Sequence, residues 1–417
     1  MDNPCARINI TDMDADILIT GGGLNGCGMA LAAASGGLTV ALIDSEAIAS
    51  QKSDGFDGRS YAIARGSQRM LEAIGLWSAL AETSGPIMEI KVSDGQTGRG
   101  PGPFSLGFDQ AEIEDGPMGF MVEDRHLRPV LLEAVAAHPN ITHYAGTRVV
   151  AQTAGQTATV TLDTGATLSG MLLIGADGVQ GQTAARAGIR KMEWGYGQIA
   201  LVCALETELP HNCIAHQLFL PPGPLAVLPL KGNRVSIVWS ENAETAAAFA
   251  SLNDTDYLAA LHTRLGDFLG EVSLTGARYT YPLGLSLARS FVADRAVLIG
   301  DAAHRMHPIA GQGLNVGLRD IAALAEVLVD ARRRGEDIGS LATLQRYQSW
   351  RRFDTTALAF ATDGFNRLFS NNNPLLRLGR GLGLSMVGKL PDLRRSFIRE
   401  AAGLTGDLPR LARGLPL

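Results

Sequence analysis

The sequence predicts an α/β fold of two domains, with a helical segment closing the chain. Three observations lead there. Short apolar runs end in glycine-rich turns that open helices at three separate places, the pattern of a Rossmann-like parallel sheet. Residues 189–287 instead alternate apolar and polar side chains ("QIALVCALETE", "RVSIVWS"), as antiparallel strands with one covered face do. The length, 417 residues, suffices for both units. The expected organisation is a discontinuous first domain at 1–86, 115–188 and 288–365, and a second at 87–114 and 189–287. Within the latter, residues 87–107 should add a strand and a Gly/Pro-rich loop. A helical segment is expected at 366–417.

The first turn lies between two buried strands, "DILIT" (Asp16–Thr20) and "VALID" (Val40–Asp44). Gly21, Gly23 and Gly26 stand in G-x-G-x-x-G spacing, and Ala30, Ala32, Ala33 and Ala34 follow as a helix packed closely on a sheet requires. One glycine makes the tight turn, one lets amides approach a pyrophosphate, and one allows helix–strand contact. The helix start then carries about half a positive charge toward the phosphates. Asp44 is placed to accept a hydrogen bond from an adenosine ribose. The arrangement predicts dinucleotide binding, and an acid at 44 fits a free 2′-hydroxyl, as in NAD or FAD. The motif does not choose between them.

The second turn, "MLLIGADGVQGQTAAR" (Met171–Arg186), taken alone reads as a surface turn with Asp177 as helix cap. The third, "RAVLIGD" (Arg295–Asp301), is a strand ending in Gly300 and Asp301. A helix should begin near Gly311–Asn315, since Leu314, Leu318, Ile321, Leu324 and Leu328 recur at helical spacing. An acid after such a strand suits polyol hydroxyls better than phosphate, which points to a ribityl chain. Gly311, Gln312 and Gly313 would bring bare amides against a flat ring that becomes anionic, as reduced flavin does. Pro308, with no N–H, would wall one face. The stretch is shaped for the ring end of FAD.

Composition excludes several classes. At 46% hydrophobic and 19% charged, the chain is an ordinary globular protein. No apolar run approaches the roughly 20 residues of a spanning helix, and the acidic N-terminus lacks a signal peptide's regions. A cytoplasmic protein is expected. Cys5, Cys27, Cys203 and Cys213 show no metal or disulfide spacing, so no metal is assigned. The net charge of −6 speaks against nucleic acid. The segment from Asn366 onward is basic and interleaved with apolar residues. It reads either as helices packed on their own domain or as a peripheral contact at the inner membrane or in a biosynthetic complex.

With these pieces in order, the chain resembles the FAD-dependent aromatic hydroxylases, the group A flavoprotein monooxygenases typified by p-hydroxybenzoate hydroxylase. The markers are "GGGLNG", "GADG" and "GDAAHRMHPIAGQGLNVGLRD". More narrowly it is similar to the ubiquinone-biosynthesis hydroxylases through "DGRSYAIARGSQRMLEAIGLW" (Asp57–Trp77), "EDRHLRPVLLEAV" (Glu123–Val135), "GPLAVLPL" (Gly223–Leu230) and "YPLGL" (Tyr281–Leu285). The resemblance runs from about Asp16 to Asp330. It implies an FAD-binding domain of the p-hydroxybenzoate hydroxylase type with an antiparallel substrate sheet. Leu24, Asn25 and the glycines around them would hold the cofactor, Gly300 and Asp301 the ribityl chain, and Gly311, Gln312, Gly313, Leu314 and Asn315 the ring. Arg59 and Arg125 would support the pyrophosphate or ribityl region. Asp177 belongs to a motif credited with FAD and NAD(P)H contacts.

The implied reaction uses NAD(P)H and O2. A flavin C4a-hydroperoxide delivers one oxygen to an electron-rich ring, here a polyprenylated phenol of ubiquinone biosynthesis. His307 and Pro308 are candidates for the ring environment, and His304 reads as a packed histidine. Substrate-contact candidates are Tyr196, His211, His216 and Gln217, each equally readable as an ordinary strand or loop residue. Two alternatives stay open: hydroxylation of an unprenylated phenol, and an FAD-holding scaffold of a biosynthetic complex.

Overall fold

The computed structural model describes residues 13–51, 56–95, 105–113, 116–370 and 390–417. Cys5, the Gly/Pro-rich loop at 96–104 and residues 371–389 of the C-terminal segment lie outside the described residues.

The chain opens on a βαβ unit, β1 (Ala15–Thr20), α1 (Leu24–Ser35) and β2 (Val40–Asp44), followed by α2 (Ile48–Gln51). Next come β3 (Ser60–Ala64), α3 (Arg65–Ala73), α4 (Trp77–Leu80) and β4 (Gly85–Ile87). An excursion through β5 (Glu89–Asp94) and β6 (Ser105–Asp109) ends at β7 (Gly119–Glu123) and α5 (Asp124–Ala137). The strands β8 (Ile141–Ala145), β9 (Val149–Ala154), β10 (Ala158–Leu162) and β11 (Thr167–Gly175) lead to α6 (Thr183–Arg186). The second unit holds β12 (Lys191–Thr207), β13 (Ile214–Leu220), β14 (Gly223–Pro229), β15 (Arg234–Asn242), α7 (Ala243–Ala250), α8 (Asp254–Leu265) and β16 (Val272–Ala288). The chain returns through β17 (Val292–Ala293), β18 (Ala296–Leu298), β19 (His304–Arg305), α9 (Gln312–Arg333) and α10 (Leu341–Phe369). It closes with α11 (Pro391–Ala401) and residues 402–417.

The first sheet runs β17-β18-β11-β1-β2-β8, parallel from β18 to β8, with the β9–β10 hairpin attached to β11. Every residue of β1 and β2 is buried, because α1, α5 and α9 cover one face and the β9–β10 hairpin covers the other; such strands read as unbroken apolar runs. The second sheet runs β19-β16-β12-β15-β14-β13-β5-β6. It is antiparallel except where β5 meets β13 in parallel. β5 arrives from an earlier excursion, so no hairpin dictates its direction. One face of this sheet is covered by α7 and α8 around Trp239 and Tyr257, both fully buried. A third small sheet, β3-β7-β4, joins the two units.

α10 runs through position 365 to Phe369, and residues 402–417 turn back onto the first unit. Leu411 is fully buried in its core, the Trp350 indole donates to the Asp407 carbonyl at 2.9 Å, and Arg410 pairs with Glu326 and Asp330. One of the tail's cations is therefore spent inside the protein rather than on solvent.

Behind the Gly300 turn sits a buried ionic trio. Asp320 of α9, with no exposed surface, accepts from the Gly300 amide at 3.2 Å, from His304 Nε2, and from Arg351 of α10 at 3.0 Å. Burial alone would raise the Asp320 pKa, but His304 and Arg351 outweigh it and hold the carboxyl below its usual range. Removing one member of such a group leaves uncompensated buried charge. Asp320→Ala is expected to lower the stability of the folded chain by about 3–5 kcal/mol, read from the denaturant midpoint. A loss within experimental error of zero would contradict this role.

Candidate active site

At the start of α1 the backbone is bare. Gly23 is its N-cap, no side chain caps it, and no acid stands in the first turn. The helices α7, α8 and α10, by contrast, are capped by the side-chain oxygens of Asn242, Asn253 and Ser340. The first-turn amides of α1 are thus available to an anion. A Cβ on Gly26 would lie 1.8 Å from the Gly21 carbonyl oxygen, so only glycine lets the helix start this close to β1. Leu24 is half-buried at the helix start. Asp44 is buried at the end of β2, where the Glu46 amide and Gln51 side chain donate to its two oxygens at 3.2 and 2.8 Å. Each oxygen keeps a lone pair for a ribose hydroxyl.

The Asn25 side chain reaches α9. A Cβ on Gly300 or Gly317 would come within 2.3 or 2.4 Å of its amide group, so it fills the seam between them. Gly300 also takes a left-handed φ of +56°. Asp301, next in the chain, keeps an exposed surface although protein surrounds it on most sides; it lines an open crevice. Desolvation there raises its pKa, against the charges of His304, Arg305 and Lys191.

α9 begins as barely as α1. Gly311 is the N-cap with φ +62°, without a side-chain cap or a first-turn acid, and Gly313 faces open space. Leu314 is half-buried against the core. Asn315 is buried and spends its amide on the backbone: it accepts from the Ala64 amide and donates to the Ala62 carbonyl, both at 2.8 Å, tying β3 to α9. Gln312 donates to the Ala401 carbonyl at 3.3 Å, which anchors α11. Pro308 precedes this turn half-buried. His307 is fully buried with neither ring nitrogen hydrogen-bonded, edge-on to Tyr196 at 5.3 Å. Burial pushes its pKa down to about 4 against the charge of Asp363. The imidazole is neutral at physiological pH and is no imidazolium donor. The Tyr196 hydroxyl is buried without a well-aligned hydrogen-bond partner among the described residues, and burial followed by Asp363 raises its pKa.

Between this turn, the second sheet and the ends of α10 and α11 lies a cavity of about 320 Å³. Its wall is mostly apolar, with Val92, Phe108, Phe219, Leu228, Phe369 and Phe397 prominent. Gln217 lines it and donates to the Leu225 carbonyl at 3.4 Å. His216 also contributes, though its ring packs on Phe268 at 4.6 Å, and burial lowers its pKa to about 4. His211 is not brought to the cavity. Its ring accepts from the Cys213 amide at 3.0 Å and bonds the Gly232 carbonyl, closing the turn before β13.

The arginines divide differently. Arg59 pairs with Asp57 at 2.7 Å and Asp124 at 3.2 Å. Arg125 pairs with Glu123 at 2.7 Å and stacks over Phe56, at the junction with Arg234 of the second unit. The cation whose charge reaches Cys27, in the first turn of α1, is Arg128, held by Asp124 at 3.0 Å. Asp177 caps α6, accepting from the Thr183 amide and hydroxyl at 3.0 and 2.7 Å, while its other oxygen is buried without a partner.

These features fit FAD: a bare helix start for the diphosphate, Asp44 for the ribose, Asp301 for the ribityl hydroxyls and a second bare helix start for the ring edge. Comparison with known proteins agrees. The family described as FAD binding domain matches residues 14–358. Ubiquinone hydroxylase UbiL of Rhodospirillum rubrum is 43% identical, covering 100% of this chain and 97% of that protein. The 3-demethoxyubiquinol 3-hydroxylase of Escherichia coli is 33% identical, over 95% and 100%. The chain belongs to the ubiquinone-hydroxylase family of FAD-dependent monooxygenases. The solved p-nitrophenol 4-monooxygenase PnpA from Pseudomonas putida shares the fold, with a TM-score of 0.77 over 94% of this chain and 98% of that one, at 18% identity.

Three residues around the candidate site escape a reading of motifs. Arg128 stands three positions after Arg125, and the helical repeat of α5 was the available signal. Gly22 leaves room for Asp44, whose carboxylate would lie 2.5 Å from a Cβ there. Asp320 closes the late motif, and its partner Arg351 lies on the next helix.

The His307 shift sets a pH dependence. Its folded-state pKa lies below the ordinary 6.5, so its stability contribution is full above that pH and is lost as pH falls toward 4. The thermal midpoint should fall across this window, by the equivalent of up to about 3 kcal/mol, and His307→Asn should flatten the slope. An unchanged slope in the variant would contradict the assignment.

Proposed function

We propose that the chain hydroxylates the ring of a polyprenylated phenol in ubiquinone biosynthesis, with NAD(P)H as reductant and O2 as oxygen source. The cavity of about 320 Å³ beside the start of α9 carries the reading. When bound, FAD supplies the redox chemistry, accepting hydride from NAD(P)H and activating O2. The chain's own residues bind, orient and exclude water. The Gly311 amide is spent on the Pro308 carbonyl at 3.1 Å, and the bare amides at Gln312 and Gly313 face the ring end with a partial positive charge that favours its reduced, anionic form. The apolar wall keeps water from the reacting oxygen. Gln217 offers an amide to the phenol hydroxyl. Phe365, Phe369 and Phe397 line the cavity's side toward α11 and suit the prenyl chain.

The test is NAD(P)H oxidation under air by the FAD-loaded protein. A prenylated phenol should stimulate it and yield a hydroxylated product, and the unprenylated parent should do so less well. Gln217→Leu should raise KM for the phenol about tenfold with FAD content unchanged. Oxidation that no phenol stimulates would sink the proposal and favour an FAD-holding scaffold.

No helix among the described residues is long and apolar enough to cross a membrane. α11 nonetheless exposes Leu393 and Phe397, with Leu390 at its start, beside the exposed Arg395. We propose that this face touches an anionic bilayer peripherally, where a prenylated substrate resides. Flotation with anionic liposomes should carry the protein, and Leu393→Ser with Phe397→Ser should release it. Equal flotation of both would refute the contact.

A further inference from the structure

The crevice that holds Asp301 has a rim used by neither the FAD cradle nor the apolar cavity. On β16, Tyr279 and Tyr281 are two residues apart and so share one face of the sheet. Their rings stack at 6.2 Å and 24°, and Tyr281 is 45% exposed. The next carbonyl, Pro282, accepts a hydrogen bond from Arg305 of β19, whose guanidinium lies over Gly284. Lys191, at the start of β12, donates to the Val179 carbonyl at 3.5 Å in the "GADGVQG" turn. Neither Arg305 nor Lys191 makes an ion pair among the described residues, and β16 sets Arg305 opposite Ser286 and Lys191 opposite Ala288, whose amide donates to the Ala303 carbonyl at 2.7 Å, two residues from Asp301.

An open aromatic face and two unpaired cations around one crevice have complementary chemistry in a ligand with flat rings joined by a diphosphate. Aromatic faces take flat rings by offset stacking, and Arg takes phosphate through its planar fork. FAD's own diphosphate has the start of α1. We propose that this rim docks the reduced nicotinamide dinucleotide, with one of its rings on Tyr281 and its diphosphate between Arg305 and Lys191. The inference rests on the function proposed above and specifies where that reaction's reductant binds.

The test reads binding without turnover. Calorimetric titration of the FAD-loaded protein uses the tetrahydro analogues of NADH and NADPH, which cannot donate hydride. Tyr281→Ala and Arg305→Ala should each weaken the better-bound analogue about tenfold. Arg305→Lys should recover part of that loss, and FAD content and the KM for the phenol should not move. Unchanged dissociation constants would overturn the proposal. So would loss of FAD in step with the coenzyme, which would assign the cations to the flavin. Tight analogue binding that depends on Tyr281 and Arg305, in a protein that hydroxylates no phenol, would uphold the docking site and refute the hydroxylase reading.

Discussion

The seam between α1 and α9, where the Asn25 side chain fits between Gly300 and Gly317, fixes the relation of two bare helix starts. An uncapped N-terminus leaves amides unsatisfied and concentrates partial positive charge. Two of them across one seam make an elongated site with an anion-binding place at each end. A diphosphate would answer one and the electron-rich edge of a reduced flavin the other. A side chain at position 300 or 317 would displace the Asn25 amide from the seam.

The surrounding structure keeps that seam rigid. Asn315 ties α9 to β3, and Asp320 ties the Gly300 turn to Arg351 on α10. Gln312 links the same helix start to α11, so the wall of the apolar cavity is anchored to the residue next to the ring site. The bare helix start and the apolar cavity thus share one helix terminus. The neutral, unpartnered His307 beneath them lends shape and apolarity rather than charge.

What was legible in the sequence was local. The three strand–turn–helix passages lie within short windows, where glycine spacing and apolar runs declare themselves, and the alternation in β12 and β15 announces a half-covered sheet. What was not legible depends on distant partners. The β3-β7-β4 sheet pairs short strands that carry little pattern of their own. The helices α7 and α8 pack in a region whose strand alternation dominated the reading. Asp177 looked the same as a helix cap and as a cofactor contact, and its two oxygens divide between capping and an unpartnered buried position. Arg125 and Arg128 belong to one helix, and only the fold turns the second toward α1. The tail's basic composition suggested a solvated face, whereas Arg410 is drawn back to Glu326 and Asp330 by a chain reversal that composition cannot reveal.

The central claim is that the two helix starts hold the two ends of one FAD molecule. Titrating flavin-free protein with FAD, FMN and riboflavin, followed by flavin fluorescence, tests it most directly. The account predicts one FAD per chain, bound at least about 100-fold more tightly than FMN, because FMN leaves Asp44 and the adenosine half of the cradle without partners. Equal affinity for FAD and FMN would contradict it, since the start of α1 would then contribute nothing to the cofactor.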